Sequence, residues 1–290
     1  ELRHLEAQAA AAEVTDDAAA DALREGPSVE RLDAYYATHS SDECAELARE
    51  LLQSSDEDAR AVGLRLLGRA AAHEQHLHGA LDEAVVAAAR DGAVSVRVAA
   101  AHVAGEVPTT RSIDVLIALV RDAGAEVRST VASSLPLTTD PQAPNPRVVG
   151  ALQLLTADRD ALVRDFAAFG LGTQLPGADN PAVRAALHRL LDDPDTDDAY
   201  PAAEAAVGLA LRGDASVAPV IVERLRRGGA GQLWLDAAAA LALPELLPTL
   251  CALREPGDDA ADPWVGALDK AIAACEPGTG AAGAADPRGA

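Results

Sequence analysis

Four groups of side chains in this 290-residue chain have types and spacings that could do chemistry. His73, His76 and His78 crowd one turn around Glu74. Imidazoles three apart on a helix can bind zinc or another transition metal, but no third ligand stands at a suitable distance, so a solvated polar turn is expected. Asp193, Asp195, Asp197 and Glu204 match positions 1, 3, 5 and 12 of a calcium-binding loop. Asp198 stands where that loop needs glycine, Pro194 stiffens it, and Glu204 falls in an expected helix, so an acidic turn is the simpler reading. Arg212, Arg224, Arg226 and Arg227 form the one basic cluster. They could hold an acidic peptide or a phosphate, or complement the carbonyl end of the helix before Gly228. Trp234, Asp236 and Trp264 could pair aromatic stacking with a carboxylate, although two tryptophans in an aromatic-poor chain more often anchor packing. No Gly-x-Ser-x-Gly elbow, no Cys beside a His and no phosphate-cradling glycine loop occurs. No catalytic residue, metal or cofactor is therefore expected.

The elements that must position such groups follow from a pattern recurring every 31–37 residues: Asp, five residues, Arg, then small apolar residues, then Gly or Pro. Clean copies are Asp91/Arg97/Gly105, Asp122/Arg128/Pro136 and Asp158/Arg164/Gly172. Worn copies occur at Arg60/Gly68 and Tyr200/Gly208, and around Trp234. A repeat of this length made of helix pairs implies a stacked solenoid. Asn145-Pro146, Asn180-Pro181 and Asp262-Pro263 each place a capping side chain before a proline at the first helical position. Gly124, Gly213 and Gly228 fall where helices should end. Each Arg-bearing helix is expected to pair with the helix after it: 60–71 with 76–90, 95–106 with 111–122, 126–135 with 146–156, 162–174 with 181–191, 200–211 with 216–227, and 232–243 with 245–253. Residues 1–40 read as N-terminal capping helices, 41–262 as repeats, 263–275 as a C-terminal capping helix and 276–290 as a disordered tail. No segment alternates with period two, so no sheet is expected.

The composition narrows the partners. The chain is 49% hydrophobic but 2% aromatic, so Ala, Leu and Val must build the core. The formal net charge is −22, and Lys270 is the sole lysine. Such a field repels phosphate backbones and anionic lipids and favours a cationic partner, so neither nucleic acid nor membrane is expected. Cys44, Cys251 and Cys275 lack metal-ligand spacing and read as buried reduced thiols. No apolar run reaches the ~18–20 residues needed to span a bilayer. The first residues lack the apolar core of a signal peptide, so a cytoplasmic location is expected.

The Asp–Arg pattern, with Val before each Arg and an Ala-rich run after it, resembles the HEAT-repeat family in the short bacterial form also seen in phycobilin-lyase subunits. The resemblance covers about residues 41–275. It implies an all-α fold, a right-handed α-α superhelix, in which Asp91, Arg97, Asp122, Arg128, Asp158 and Arg164 form a ladder between neighbouring repeats. Ser54 replaces the Asp opposite Arg60, and Pro194 and Tyr200 replace both members of the sixth copy, so the ladder should fail at each end. It also implies a concave face lined by the second helices and used mainly to bind proteins. Exposed candidates there are Glu83, Arg90, Asp114, Arg121, Gln153, Arg184, His188 and Glu223. The expected function is thus a non-catalytic scaffold for a protein or peptide of basic character. The alternatives are a phycobilin-lyase-like subunit acting on a small molecule and, from Trp234 and Asp236, resemblance to HEAT-like alkylbase glycosylases, which the acidic charge disfavours.

Overall fold

A computed structural model describes residues 19–21, 28–194, 200–228, 231–255, 259 and 261–277. Most of the first 27 residues of the expected capping region 1–40 fall outside them, as do Asp195, Asp197 and Asp198 of the calcium-like spacing and nearly all of the 276–290 tail. The described residues are helical and contain no strand. They fall into two compact units, one ending at Thr138 and one beginning at Thr139.

The first unit holds α1 (Val29–Tyr36), α2 (Ser41–Leu51), α3 (Glu57–Ala71), α4 (His78–Ala88), α5 (Val94–Glu106), α6 (Ser112–Leu119) and α7 (Ala125–Ser134), which runs into a 3₁₀ turn at Leu135–Thr138. The second holds α8 (Pro146–Leu155), α9 (Ala161–Phe169), α10 (Pro181–Leu190), α11 (Pro201–Leu211), α12 (Ala218–Arg226), α13 (Gln232–Leu241), α14 (Leu247–Leu253) and α15 (Pro263–Cys275). A π turn at Gly170–Gln174 extends α9. Caps set these boundaries. Asn145, Asn180 and Asp262 accept backbone N–H bonds ahead of a proline at the first helical position. Ser40 caps α2, in a reciprocal capping box with Glu43. Gly213 and Gly228 end α11 and α12 with φ of 64° and 74°, a region that costs glycine nothing. Gly124 instead precedes α7 as its N-cap.

Within each unit the helices form two layers. One layer is α3, α5, α7 in the first unit and α9, α11, α13, α15 in the second, and its members pack closely side by side; α4 and α6, or α12 and α14, touch only lightly. Small residues make the close layer close. Ala99, Ala100, Ala101 and Ala104 are buried on α5, and Ala202, Ala203, Ala205, Ala206 and Ala210 on α11. A Cβ on Gly105 would lie 2.6 Å from the Ser134 Cβ, and one on Gly208 would lie 2.5 Å from the Gly172 Cα. These glycines stand eight residues after the Arg of the repeat, or its counterpart Tyr200, where a neighbouring repeat crosses. The tight layer carries the Arg-bearing helices, and we term it the inner layer.

The pairing in the second unit also differs from expectation. Between the layers, contacts join α8 to α9, α10 to α11, α12 to α13 and α14 to α15, each inner helix lying on the helix before it. The turn between those two helices keeps them together, whereas after α9 the π turn and residues 175–180 carry the chain away. Leu152, Leu155, Leu171 and Leu175 are fully buried in this core, as are Leu64, Leu66, Leu67, Leu81, Leu116 and Leu135 in the first unit.

Candidate functional site

The repeating Asp and Arg meet across neighbouring repeats. Nε and Nη2 of Arg60 donate to the two carboxylate oxygens of Asp91, both at 2.9 Å. Arg97 meets Asp122 in the same way at 2.7 and 3.0 Å, and Arg164 meets Asp193 at 2.6 and 2.7 Å. Such forked pairs fix geometry as well as energy. The spare Nη1 donates to carbonyls at the start of its own repeat: Ser54 and Ser55 for Arg60, Asp91 and Gly92 for Arg97, Asp122 and Ala123 for Arg128, and Asp158 for Arg164. Each Asp also caps the turn that follows it, taking the N–H of Ala93, Gly124 or Asp160. The Arg60 hydrogen bonds hold Asp91 below the usual carboxylate range. Burial pushes Asp122 up, but the bonds from Arg97 and Gly124 outweigh it and leave Asp122 lowered. The expected loss at Pro194 is corrected: Asp193, one residue earlier, takes the guanidinium of Arg164. Ser54 keeps the turn-capping part of the missing Asp, since its hydroxyl accepts from the Asp56 N–H.

The four chemistry-bearing groups come out differently. His76 faces Asp42 at 3.0 Å and Glu74 at 3.5 Å, His78 bonds to the Ala71 carbonyl, and His73 stacks on Tyr36. Among the described residues no three His, Cys, Asp or Glu converge on a metal-sized point. The basic cluster disperses. Arg212 has a side chain only 3% exposed and donates to the carbonyls of Leu171, Gly172, Leu175, Ala178 and Gly208. It ties the end of α11 to the π turn. Arg224 lies over the ring of buried Trp234 at 5.2 Å, and Arg227 pairs with Glu223. Cys44 and Cys275 are buried free thiols, but Cys251 is exposed, against expectation; burial pushes Cys44 up to about 11.

The eight expected partner-facing residues lie on or at the ends of the light-packing layer, α4, α6, α8, α10 and α12. Glu83, Arg90, Asp114 and Arg121 are at least partly exposed. Gln153 borders a polar hollow of about 550 Å³ between α8 and α10. Arg184 is forked onto Asp179 at 2.7 and 2.8 Å and bonds the Arg212 carbonyl; His188 meets Asp214 at 2.9 Å.

A site the sequence reading did not single out lies on the inner layer of the second unit. A groove of about 470 Å³ runs over α9, α11, α13 and α15. Its walls are Phe169, Val207, Leu211, Leu233, Ala239, Ala240 and Ala274, and its polar groups are Thr173, Glu204, Asp236 and Lys270. Glu204 is carried into it by α11. Burial first, then the charges of Asp165 and Asp236, push its carboxyl up to about 7. Phe169 and Leu211, 36% and 53% exposed, stand together in the wall of this groove. The signal was present in the sequence as Phe169, Glu204, Leu211, Asp236 and Lys270, but these residues span about a hundred positions and only stacked helices bring them together.

No protein-family model matches the chain, and no curated protein matches it. Solved structures do. YibA of E. coli superposes with a TM-score of 0.72 at 20% identity, over 90% of this chain and 92% of that one. A chain from the Pds5–Scc1 complex gives a TM-score of 0.52 at 13% identity, over 84% of this chain and 43% of that one. A chain from the CpcE–CpcF phycocyanin lyase complex of Nostoc sp. aligns at 20% identity with a TM-score of 0.36, over 78% of this chain and 94% of that one, too low a score to support any statement about this chain. With its helix pairs in two layers and its recurring Asp–Arg contacts, the chain has the HEAT-like helical-repeat fold.

Proposed function

We propose that this chain is a non-catalytic binding module that holds a protein or peptide partner of basic character against its inner helix layer. The observation that carries this is the groove over α9, α11, α13 and α15, with apolar walls and two carboxylates, Glu204 and Asp236, that form no ion pair among the described residues. Exposed Phe169 and Leu211 supply the apolar area that a partner would bury, and the net charge of −22 disfavours nucleic acid and anionic membrane. Among the structural neighbours, Pds5 was solved with a protein partner, Scc1. Among the described residues no helix is long and apolar enough to cross a membrane.

The test is a display selection of random peptides on the full chain, counter-selected on Leu211→Asp. Enriched sequences that bind the parent and not the variant support the module. A second reading, an enzyme or enzyme subunit acting on a small molecule, draws on one observation: the groove volume lies in the range of small-molecule sites, ~300–1,000 Å³. Under that reading the selection yields nothing, while small molecules raise the melting temperature of the parent and not of Leu211→Asp.

A further inference from the structure

We infer that the groove of the second unit takes a segment presenting one arginine or lysine side chain flanked by apolar residues, with the cation seated between Glu204 and Asp236. The inference rests on reading the chain as a partner-binding module. The carboxylates come from adjacent inner helices, α11 and α13, and the large apolar side chains Phe169, Leu211 and Leu233 stand around them. That arrangement matches an alternation of apolar and single cationic groups. A run of several cations would bury its further charges against Phe169 and Leu211, which is costly without partners. An anion meets two carboxylates in the groove against one lysine, Lys270. A metal ion finds no third ligand converging among the described residues.

Binding of this cation is linked to a proton. The charged groups around Glu204 are Asp165 on α9, Asp236 on α13 and, lining the same groove, Lys270 on α15; α10, which packs on the other flank of α11, adds none to the lining. With burial and two carboxylates acting on it, Glu204 is close to half protonated at neutral pH. An incoming guanidinium or ammonium favours the ionised form, so Glu204 gives up its proton as the cation seats. Affinity therefore rises as pH rises through 7.

The test uses the full chain and capped peptides with leucines flanking a central arginine, citrulline or glutamate, read by fluorescence anisotropy at pH 6 and 8. The arginine peptide is expected to bind about tenfold tighter than its neutral citrulline counterpart at pH 8 and to lose about tenfold at pH 6. Glu204→Gln should reduce arginine-peptide affinity about tenfold and flatten its pH dependence, leaving citrulline-peptide binding unchanged. Asp236→Asn, which leaves α11 untouched, should weaken the same peptide in the same direction. Equal binding of arginine and citrulline, unchanged binding by Glu204→Gln, or no binding of any of the three peptides at millimolar concentration overturns the inference. If display still yields neutral or purely apolar ligands, only the cation is lost; if display also fails, the module reading falls with it.

Discussion

At the scale of single residues, the repeat is held by guanidinium groups that each do several jobs. Arg97 bridges two repeats through Asp122 and closes its own turn through the Asp91 and Gly92 carbonyls. Arg97→Ala leaves Asp122 partly buried without its partner, so urea unfolding should show a loss of about 2 kcal/mol, and Arg97→Lys should recover less than half because lysine lacks the planar fork. The pH dependence has two opposing parts. Asp91 and Asp122 are held below the carboxylate range, so their contribution is present above their unfolded values, near pH 4, and is lost as pH falls through the lower native values. Glu204 is raised to about 7, so the native state favours its protonated form. Its stabilising contribution is complete below the unfolded value, roughly 4.3, and is lost as pH rises to 7. Glu204→Gln should therefore leave stability nearly unchanged at pH 4 and raise it by about 1–2 kcal/mol at pH 8, allowing for solvent screening. Chemical denaturation at the two pH values reads the difference; a variant less stable than the parent at pH 8 contradicts it.

At the scale of elements, small residues decide where helices approach. Gly208 and Gly172 touch backbone to backbone where α11 crosses the π turn. Gly208→Ala gains helix propensity of about 1 kcal/mol, yet its Cβ meets a Cα that has no room to move. A net loss of about 2 kcal/mol is expected in thermal or urea unfolding. Gly150, on the exposed side of α8, has open space where a Cβ would stand, with no atom within 4 Å. Gly150→Ala should accordingly stabilise by up to about 1 kcal/mol, since only the propensity term acts there. The buried Arg212 belongs to the same scale, because the five carbonyls it satisfies belong to α11, the π turn and the residues just after that turn. In the sequence it is indistinguishable from Arg224, Arg226 and Arg227.

At the scale of the whole molecule, charge dominates. A net charge of −22 on 290 residues opposes compaction through self-repulsion. Raising salt from low to physiological strength screens that repulsion more than it weakens the partly buried Arg–Asp pairs, so the melting temperature should rise with sodium chloride. Scanning calorimetry across ionic strengths checks this, and a falling melting temperature would mean that the pairs outweigh the repulsion.

The repeat itself was legible in the sequence because its causes are local. At Asn145, Asn180 and Asp262 a capping side chain before proline starts the helix from local contacts alone, and alanine-rich runs at helical spacing fold the same way in neighbouring copies. Those features determined an all-helical repeat chain. What only the tertiary structure decided depends on neighbours distant in the chain. Asp193 replaces the position read as Pro194 because a carboxylate one residue earlier still reaches Arg164. The tight layer follows from how closely Gly105, Gly172 and Gly208 let helices approach. Glu204 became a groove carboxyl because α9 and α13 bring Asp165 and Asp236 beside it and take water away. Spacing along one chain specifies which face of a helix a side chain occupies; burial and electrostatic coupling are set by what the other helices place against that face.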